Sequence, residues 1–350
     1  MNENQWLFLW RSPTSGFCVK DICYSGPRAV LCCRTNGRIS KLAEIDPHVS
    51  KQTAQYEFNE GSAIVCVTCA RGNNQILVFD DKANVWLFDR RTFSAPTHLI
   101  NSKVALGTAD SHEIIKKKKN EGKKNKSLDS EDELLTDYIE IWDIRNTNSA
   151  LHSYSEYHSD SIQALSFSAE NPNLLMSGDA NGLVNIIDVS IKETDDALQS
   201  SSQLGSSVSH VNFLSSSRAY ATSDDNRFQV FRLNKPDDID VTFKKNTVNG
   251  EFLVDILDIN EDTICSLSST AFGLATVNYY STEGKKVCDP RSFGGHEDLI
   301  RCSLFNAADR LLIMGDESGC VTGRELLPIT SSPGIAVSRK AKRKWKPYAR

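Results

Sequence analysis

The sequence predicts an all-β protein, a seven-bladed β-propeller with degenerate blades that an N-terminal strand closes. Two observations predict it. First, one pattern recurs, an alternating apolar run that ends near Trp-Asp or a substitute, at residues 85–89, 138–143, 184–188, 228–232 and 321–324. Second, Trp142 and Ile187 are 45 residues apart, and Ile187 and Phe231 are 44 apart. A period of about 40–45 residues with four strands in each unit is typical of propeller blades.

The other units follow from the same spacing. An upstream unit ends near Leu42, 46 residues before Phe88. Phe231 and Arg324 are 93 residues apart, which leaves room for one further unit between them. Phe88 and Trp142 are 54 residues apart, but a charged insertion takes up nearly half of that distance. We therefore expect seven units, of which the third is truncated or irregular.

The first residues are predicted to close the ring. An open propeller would expose two strand edges, which are prone to pair with other chains. Residues 5–10 are apolar and aromatic, and a strand there would complete the last blade. The alternative is an exposed aromatic peptide for a partner. The predicted propeller spans residues 1–337.

Residues 154–210 carry a more specific signal. They hold, in order, Tyr-Ser-Glu-Tyr-His-Ser-Asp, Asn-Pro-Asn, Ser-Gly, Gly-Leu-Val-Asn, Asp-Ala-Leu and Ser-Ser-Val-Ser. The repeated strand pattern resembles the WD-repeat (WD40) β-propeller family, and this ordered set resembles the WD repeat-containing protein 89 family. The resemblance implies a non-enzymatic propeller.

The resemblance also implies a buried hydrogen-bond network of His, Ser or Thr, Asp and Trp in each strong blade. His158 and Ser177 fit this network, but Asn181 stands at the Asp position and Ile187 at the Trp position. In the last unit, Ser318 stands for Asp and Arg324 for Trp. Because a network helps only when every member is satisfied, we expect apolar packing to hold the blades more than this network does. The expected structural residues are His158, Ser177, Asn181, Trp142, Asp143, Asp188 and His296, with Gly178, Gly182, Gly315 and Gly319 at blade turns.

Composition excludes several classes of protein. The chain has 350 residues, of which 39% are hydrophobic and 24% charged, as in ordinary soluble proteins. No apolar run approaches the roughly 18 residues of a membrane helix, and the N-terminus does not resemble a secretory signal. The ten cysteines are therefore expected to be reduced, mostly buried thiols in a nuclear or cytosolic protein.

The net charge of −5 conceals an asymmetry. The last thirteen residues, 338–350, hold seven Lys or Arg and no acid, which leaves −12 on the rest. This basic tail predicts nuclear import, with RNA contact or simple solubility as alternatives, because aromatic residues among cations can stack on bases. Its candidate residues are Arg339, Lys340, Lys342, Arg343, Lys344, Trp345 and Lys346.

A second charged segment, 111–136, is predicted to be a disordered insertion in the third blade, because it has too few apolar residues to fold alone. It runs from lysines to an acidic stretch in which Ser130 fits an acid-directed kinase site. An inert solvated loop is the simpler interpretation, and localisation or partner contact is the alternative. Its candidate residues are Lys116, Lys117, Lys118, Lys119, Lys123, Lys124, Ser130, Glu131, Asp132 and Glu133.

Motifs of catalysis are not found in the sequence. Cys66 and Cys69 have redox or zinc spacing, but they sit in an alternating strand-like run, and no second pair supports a metal site. The sequence shows no glycine-rich phosphate loop and no nucleophile elbow. We expect no enzymatic activity, no cofactor and no metal.

The predicted function is a protein-interaction scaffold. The acidic body favours a basic client, such as a ribosomal protein or a histone, and the tail favours the nucleus, with shuttling to the cytoplasm. Together they suggest a nuclear or nucleolar assembly factor in ribosome biogenesis or chromatin work, monomeric within a complex and away from membranes. The alternative is a non-catalytic adaptor subunit of a methyltransferase or a ubiquitin ligase, by analogy with other propellers.

Overall fold

The structure, a computed structural model, describes residues 6–11, 16–26, 29–36, 39–46, 51–58, 63–69, 75–81, 84–93, 97–101, 113–119, 137–143, 150–235, 238–246 and 250–326. Within these residues the chain forms 27 β-strands and one four-residue helix. The strands form seven antiparallel sheets, six with four strands and one with three. The described residues therefore build six four-stranded blades and one three-stranded blade, the third, where the sequence predicted seven blades with a truncated or irregular third.

The first three blades occupy the N-terminal half. Blade one holds β2 (Cys18–Gly26), β3 (Ala29–Thr35), β4 (Ser40–Asp46) and β5 (Lys51–Phe58). Blade two holds β6 (Ile64–Cys69), β7 (Gln75–Asp80), β8 (Asn84–Asp89) and β9 (Thr97–Asn101). Blade three holds β10 (Glu113–Lys119), β11 (Asp137–Asp143) and β12 (His152–Tyr154).

The last four blades complete the ring. Blade four holds β13 (Ile162–Phe167), β14 (Leu174–Asp179), β15 (Leu183–Asp188) and β16 (Leu198–Gln203), with α1 (Thr194–Ala197) before β16. Blade five holds β17 (Val208–Ser215), β18 (Arg218–Ser223), β19 (Arg227–Lys235) and β20 (Asp238–Asn246). Blade six holds β21 (Phe252–Asn260), β22 (Thr263–Ser269), β23 (Ala275–Ser281) and β24 (Arg291–Phe293). Blade seven holds β25 (Ile300–Asn306), β26 (Leu311–Asp316), β27 (Val321–Leu326) and β1 (Trp6–Arg11).

The closure predicted from the sequence is confirmed. β1 pairs antiparallel with β27, so the first strand of the chain is the outer strand of the last blade. Near it, the N–H of Gly16 donates to the carbonyl of Ser318 at 3.1 Å. The N-terminal segment of the chain is thus joined to the last blade through backbone hydrogen bonds.

Burial follows the position of each strand in its blade. Second strands are buried along nearly their whole length, as in β14, β18, β22 and β26. A strand that packs against neighbouring blades on both faces needs apolar or small residues at every position. First strands instead alternate, and in β13 exposed Gln163 follows buried Ile162. First strands of adjacent blades contact one another, which shows that the first strands lie innermost in the ring.

The hydrophobic core lies between blades. Six described clusters each join two neighbouring blades, including blades seven and one, where Val19 and Ile22 pack with Ile313 and Val321. Burying a side chain of this size contributes about 1.5–3 kcal/mol. Each blade is therefore stabilised mainly by its neighbours.

Blade three differs from the predicted disordered insertion over 111–136. Residues 113–119, which include Lys116–Lys119, form β10 and pair with β11 from Glu113↔Asp143 to Lys119↔Asp137. The pairing satisfies backbone groups of β11 that would otherwise form an edge. Residues 120–136, including Lys123, Lys124, Ser130, Glu131, Asp132 and Glu133, lie outside the described residues, as does the tail.

The helix of this structure is short. Among the described residues, no helix is long and apolar enough to cross a membrane.

Candidate functional site

Blade four contains a buried polar network beside its inner strand. His158 Nδ1 lies 3.1 Å from Asp179 Oδ2, and His158 Nε2 lies 2.8 Å from Ser177 Oγ. The second carboxylate oxygen, Asp179 Oδ1, accepts the N–H groups of Asn181 and Leu183. Burial alone would raise the pKa of the Asp179 carboxyl, but the hydrogen bonds from His158 and those N–H groups outweigh it and lower the pKa.

Blade seven repeats this network with one change. His296 Nδ1 lies 2.8 Å from Asp316 Oδ2, and His296 Nε2 lies 2.8 Å from Thr322 Oγ1. The hydroxyl comes from the third strand, because Met314 occupies the place on the second strand that matches Ser177. Cys320 is close enough to form a potential metal-binding group with His296 and Asp316. Both ring nitrogens of His296 are already hydrogen-bonded, so this cluster is explained by the blade network.

The acid of each network differs from the sequence expectation. Asn181 was expected to replace Asp in blade four, and Ser318 in blade seven. The structure instead uses Asp179 and Asp316, the last residues of β14 and β26, because a carboxylate there reaches both the histidine and the N–H groups of the next turn. A repeated Gly-Asp pair, 178–179 and 315–316, was the sequence signal for these acids.

The other expected structural residues have separate roles. Asp188 Oδ1 accepts the N–H and the hydroxyl of Ser190 in a turn, away from the histidine network. The side chains of Trp142 and Asp143 lie outside the described residues. Gly182 and Gly319 are turn residues with positive φ, +87° and +84°.

Gly178 and Gly315 are not turn residues. Both lie near the end of a second strand, where the next blade approaches closely. A Cβ at Gly178 would meet Val208 Cγ1 at 2.4 Å, and one at Gly315 would meet Val19 Cγ1 at 2.5 Å. These glycines therefore allow neighbouring blades to pack.

Polar side chains on the inner strands join the blades around the axis. Asp255 accepts hydrogen bonds from Tyr220 Oη of blade five and from Ser303 Oγ of blade seven, the latter at 2.6 Å. Asp21 of blade one accepts the N–H of Val67 in blade two at 2.9 Å. Burial raises the pKa of both aspartates, and their hydrogen bonds oppose this shift. Sequence reasoning missed both.

These carboxylates have a structural explanation. Each oxygen of Asp21 and Asp255 accepts a hydrogen bond from the protein. The nearby thiols offer no nucleophile either, since burial raises the pKa of Cys66 and Cys302 well above its usual range. Asp21 and Asp255 thus act as links between blades near the axis.

A cavity of about 860 Å³ lies between the first-to-second-strand turns of blades five, six and seven. Its most buried charged group is Arg218, which donates to Asp258 at 2.8 Å and to the carbonyl of Glu261 at 2.7 Å. Arg218 therefore holds blade five to blade six. Its main hydrogen bonds are internal, so we assign this cavity no ligand.

The opposite end of the propeller carries a strong charge excess. It is formed by the connections from second to third strands and from each blade to the next. Among the described residues, these connections contain nine acids and no Lys or Arg. We call this surface the acidic face. Its acids are Asp81, Glu156, Asp160, Asp224, Asp225, Glu251, Glu297, Asp298 and Glu317.

Among the described residues, the cations beside the acidic face come from strands. Arg227 pairs with Asp225 at 2.8 Å, and Arg301 pairs with Glu317. The described connections at the cavity end also contain nine acids, but six Lys or Arg accompany them. The excess of negative charge in the described connections is thus nine at the acidic face and three at the cavity end.

The candidate residues of the tail and of 120–136 lie outside the described residues. No family model matches the sequence. An uncharacterised WD repeat-containing protein of Schizosaccharomyces pombe is 24% identical over 155 residues, covering 43% of each chain. An uncharacterised WD repeat-containing protein of Saccharomyces cerevisiae is 29% identical over 125 residues, covering 34% of this chain and 32% of its own.

Solved structures match over a larger share of the chain. A chain of a crystal structure described as the mitotic checkpoint complex superposes with a TM-score of 0.68 at 12% identity, over 92% of both chains. At this identity the likeness concerns the fold. The two curated relatives are matched over less than half of their own length.

Proposed function

Since this chain is a WD-repeat β-propeller, we propose that it is a non-enzymatic interaction scaffold whose acidic face binds a basic segment of a client protein. The observation that carries the proposal is the set of nine acids without a Lys or Arg in the described connections at that end. A rigid ring presents these carboxylates together, and connecting segments on a stable scaffold are common binding surfaces.

The physical basis is electrostatic. Carboxylates on one surface raise the local concentration of cationic partners and speed their association. This attraction is screened over about 8–10 Å at physiological salt, so binding should weaken as salt rises. An apolar interface would depend on salt far less.

The finer proposal is a nuclear or nucleolar assembly factor. Its clients would be basic proteins such as ribosomal proteins or histones, and residues 338–350 would direct nuclear import. The support is the charge asymmetry, −12 before the tail and seven cations within it. A fluorescent fusion without residues 338–350 should become cytoplasmic, and a fusion that stays nuclear would remove the import proposal.

Deca-lysine is a suitable probe for the acidic face. Its affinity for the full chain should fall steeply between 50 and 500 mM salt. The variant Glu156→Gln/Asp224→Asn/Glu297→Gln neutralises three acids of the face. Exposed charge pairs contribute about 0.2–1 kcal/mol each, so this variant should bind about 3- to 150-fold more weakly.

A matched control removes the same charge from the opposite end. The variant Glu170→Gln/Glu193→Gln/Asp262→Asn has the same net charge as the acidic-face variant. It should bind deca-lysine almost as the unmodified chain does. Equal weakening by both variants would show a general charge effect and contradict a specific face.

A further inference from the structure

An exposed apolar step lies on the acidic face at blade six. Phe252, Phe272 and Leu274 are 47%, 85% and 43% exposed, and they are three of the six exposed large apolar residues in the described chain. Phe252 begins β21, and the other two lie in the turn between β22 and β23. Residue pairing places Phe252 opposite Ser269, which itself pairs with Ala275. The three side chains therefore belong to one end of one blade.

The turn holds Phe272 in a defined place. The N–H of Gly273 donates to the carbonyl of Thr270, and the N–H of Thr270 donates to the carbonyl of Leu274. Gly273 has a φ of +72°, and a Cβ there would come within 2.7 Å of His296. The turn is thus packed against blade seven, and an ordered loop presents Phe272 to solvent. Exposed apolar groups grouped in this way are typical of interaction sites.

Acidic turns flank the step on both sides. Toward blade five, Asn226 Oδ1 accepts the N–H of Leu253 at 2.8 Å, which brings the turn with Asp224 and Asp225 next to β21. Toward blade seven, Gly273 packs against the backbone of Asp298 in the loop that also holds Glu297. The surface therefore suits a large apolar side chain with cations before and after it.

The C-terminal tail of this chain has that pattern. Trp345 follows Lys342, Arg343 and Lys344 and precedes Lys346. The last described residue, Leu326, ends β27 at the far end of blade seven, and Trp345 comes 19 residues later. Nineteen residues span up to about 60 Å, whereas a six-residue strand is about 20 Å long. The tail is long enough to pass along blade seven and reach the step.

We propose that the tail docks on the acidic face of its own propeller, with Trp345 against Phe252, Phe272 and Leu274 and with its cations beside the flanking acids. The proposal rests on the acidic face of the proposed function and adds a regulator to it. A basic client would then have to displace the tail before it could bind. Tethering gives the tail a high effective concentration, so it competes without strong intrinsic affinity.

A photo-crosslink in the full chain tests this contact directly. Trp345 is replaced by p-benzoylphenylalanine, the protein is irradiated at low concentration, and crosslinked peptides are mapped by mass spectrometry. We expect monomeric crosslinks to the segments around Phe252 and Phe272, which 500 mM salt and Phe272→Ser both reduce. Crosslinks to the opposite end, or none within the monomer, would overturn the proposal. Melting curves verify that Phe272→Ser, an exposed substitution, leaves the fold intact.

A second readout separates this proposal from the proposed function. Full-length Trp345→Ala should bind deca-lysine about three-fold or more tightly than the unmodified chain, because its competitor is weakened. If deca-lysine binds both proteins equally and no crosslink forms, tail docking is wrong and the scaffold stands. If the crosslink forms but deca-lysine binds neither protein, the scaffold proposal fails while the tail contact stands.

Discussion

Replacing Gly315 by alanine tests the packing that closes the propeller. A Cβ at this position would meet Val19 Cγ1 at 2.5 Å, Val19 Cβ at 2.8 Å and Cys302 Sγ at 3.1 Å. Val19 is fully buried between blades seven and one, so it cannot move into solvent. The backbone of Gly315 has no positive φ, so alanine is excluded by crowding and not by backbone conformation.

The magnitude follows from two opposed terms. Overpacking a dense core costs about 1–3 kcal/mol, and contacts this short favour the upper part of that range. Alanine in a strand regains about 0.5–1 kcal/mol relative to glycine. Gly315→Ala should therefore lower the free energy of unfolding by about 2 kcal/mol, measured by equilibrium urea denaturation.

Two further variants make this test specific. Gly294→Ala is the control, because a Cβ there meets no atom within 4 Å, and its stability should change by less than about 0.5 kcal/mol. Val19→Ala removes the nearest obstructing atom, Cγ1, and keeps Cβ, so the double variant should be partly relieved and more stable than the two single effects predict when added. If Gly315→Ala is as stable as Gly294→Ala, or if Val19→Ala does not relieve it, the described contact between blades is wrong.

Three other predictions concern the polar network of blade four, the carboxylate links between inner strands, and the closing strand β1. Asp179→Asn should lower the free energy of unfolding by about 1–3 kcal/mol at pH 7. Because folding lowers the Asp179 pKa, the stability that this carboxylate contributes is lost as pH falls below 3.8 through the folded pKa. The difference in urea midpoint between this variant and the unmodified chain should therefore shrink at low pH. Asp255→Asn should gain stability relative to the unmodified chain as pH rises above 4. Folding raises the Asp255 pKa, so ionisation of this carboxyl opposes folding. A constant difference in urea midpoint between the two proteins from pH 4 to pH 8 would contradict this. A chain that begins at Phe17 lacks β1 and should melt at lower temperature in differential scanning calorimetry, whereas unchanged melting would show that β1 does not close the ring.

Much of the fold could be predicted from the sequence, because one strand position repeats along the chain. The segments at 85–89, 184–188, 228–232 and 321–324 all lie in third strands, namely β8, β15, β19 and β27. The hydrophobic residues at these positions recur with the period of a blade. The closing strand was also predictable, because an aromatic N-terminal segment matched the need to complete the last blade.

The polar sites were less accessible to sequence reasoning. Asp179 and Asp316 were missed because the acid was expected inside the turn, whereas it ends the preceding strand. The links made by Asp21 and Asp255 depend on irregular pairing of the inner strands near both residues, and no local sequence pattern predicts that irregularity.

The resemblance to the WD repeat-containing protein 89 family stays a prediction.

The acidic face shows the same limit. The sequence revealed an acidic body, but the acids of both ends alternate along the chain. Only the strand order assigns Asp224 and Glu297 to one end, and Glu170 and Asp262 to the other. The direction of every strand therefore had to be known before the charge could be located.

The central claim is that the acidic face binds basic clients. The most direct measurement is affinity purification from cells at 50 and 500 mM salt, with quantitative mass spectrometry, using the unmodified chain, the acidic-face variant and the opposite-end variant. We predict basic proteins that are lost at high salt and from the acidic-face variant alone. A stoichiometric enzyme that survives high salt and binds all three proteins equally would contradict the claim and support an adaptor subunit.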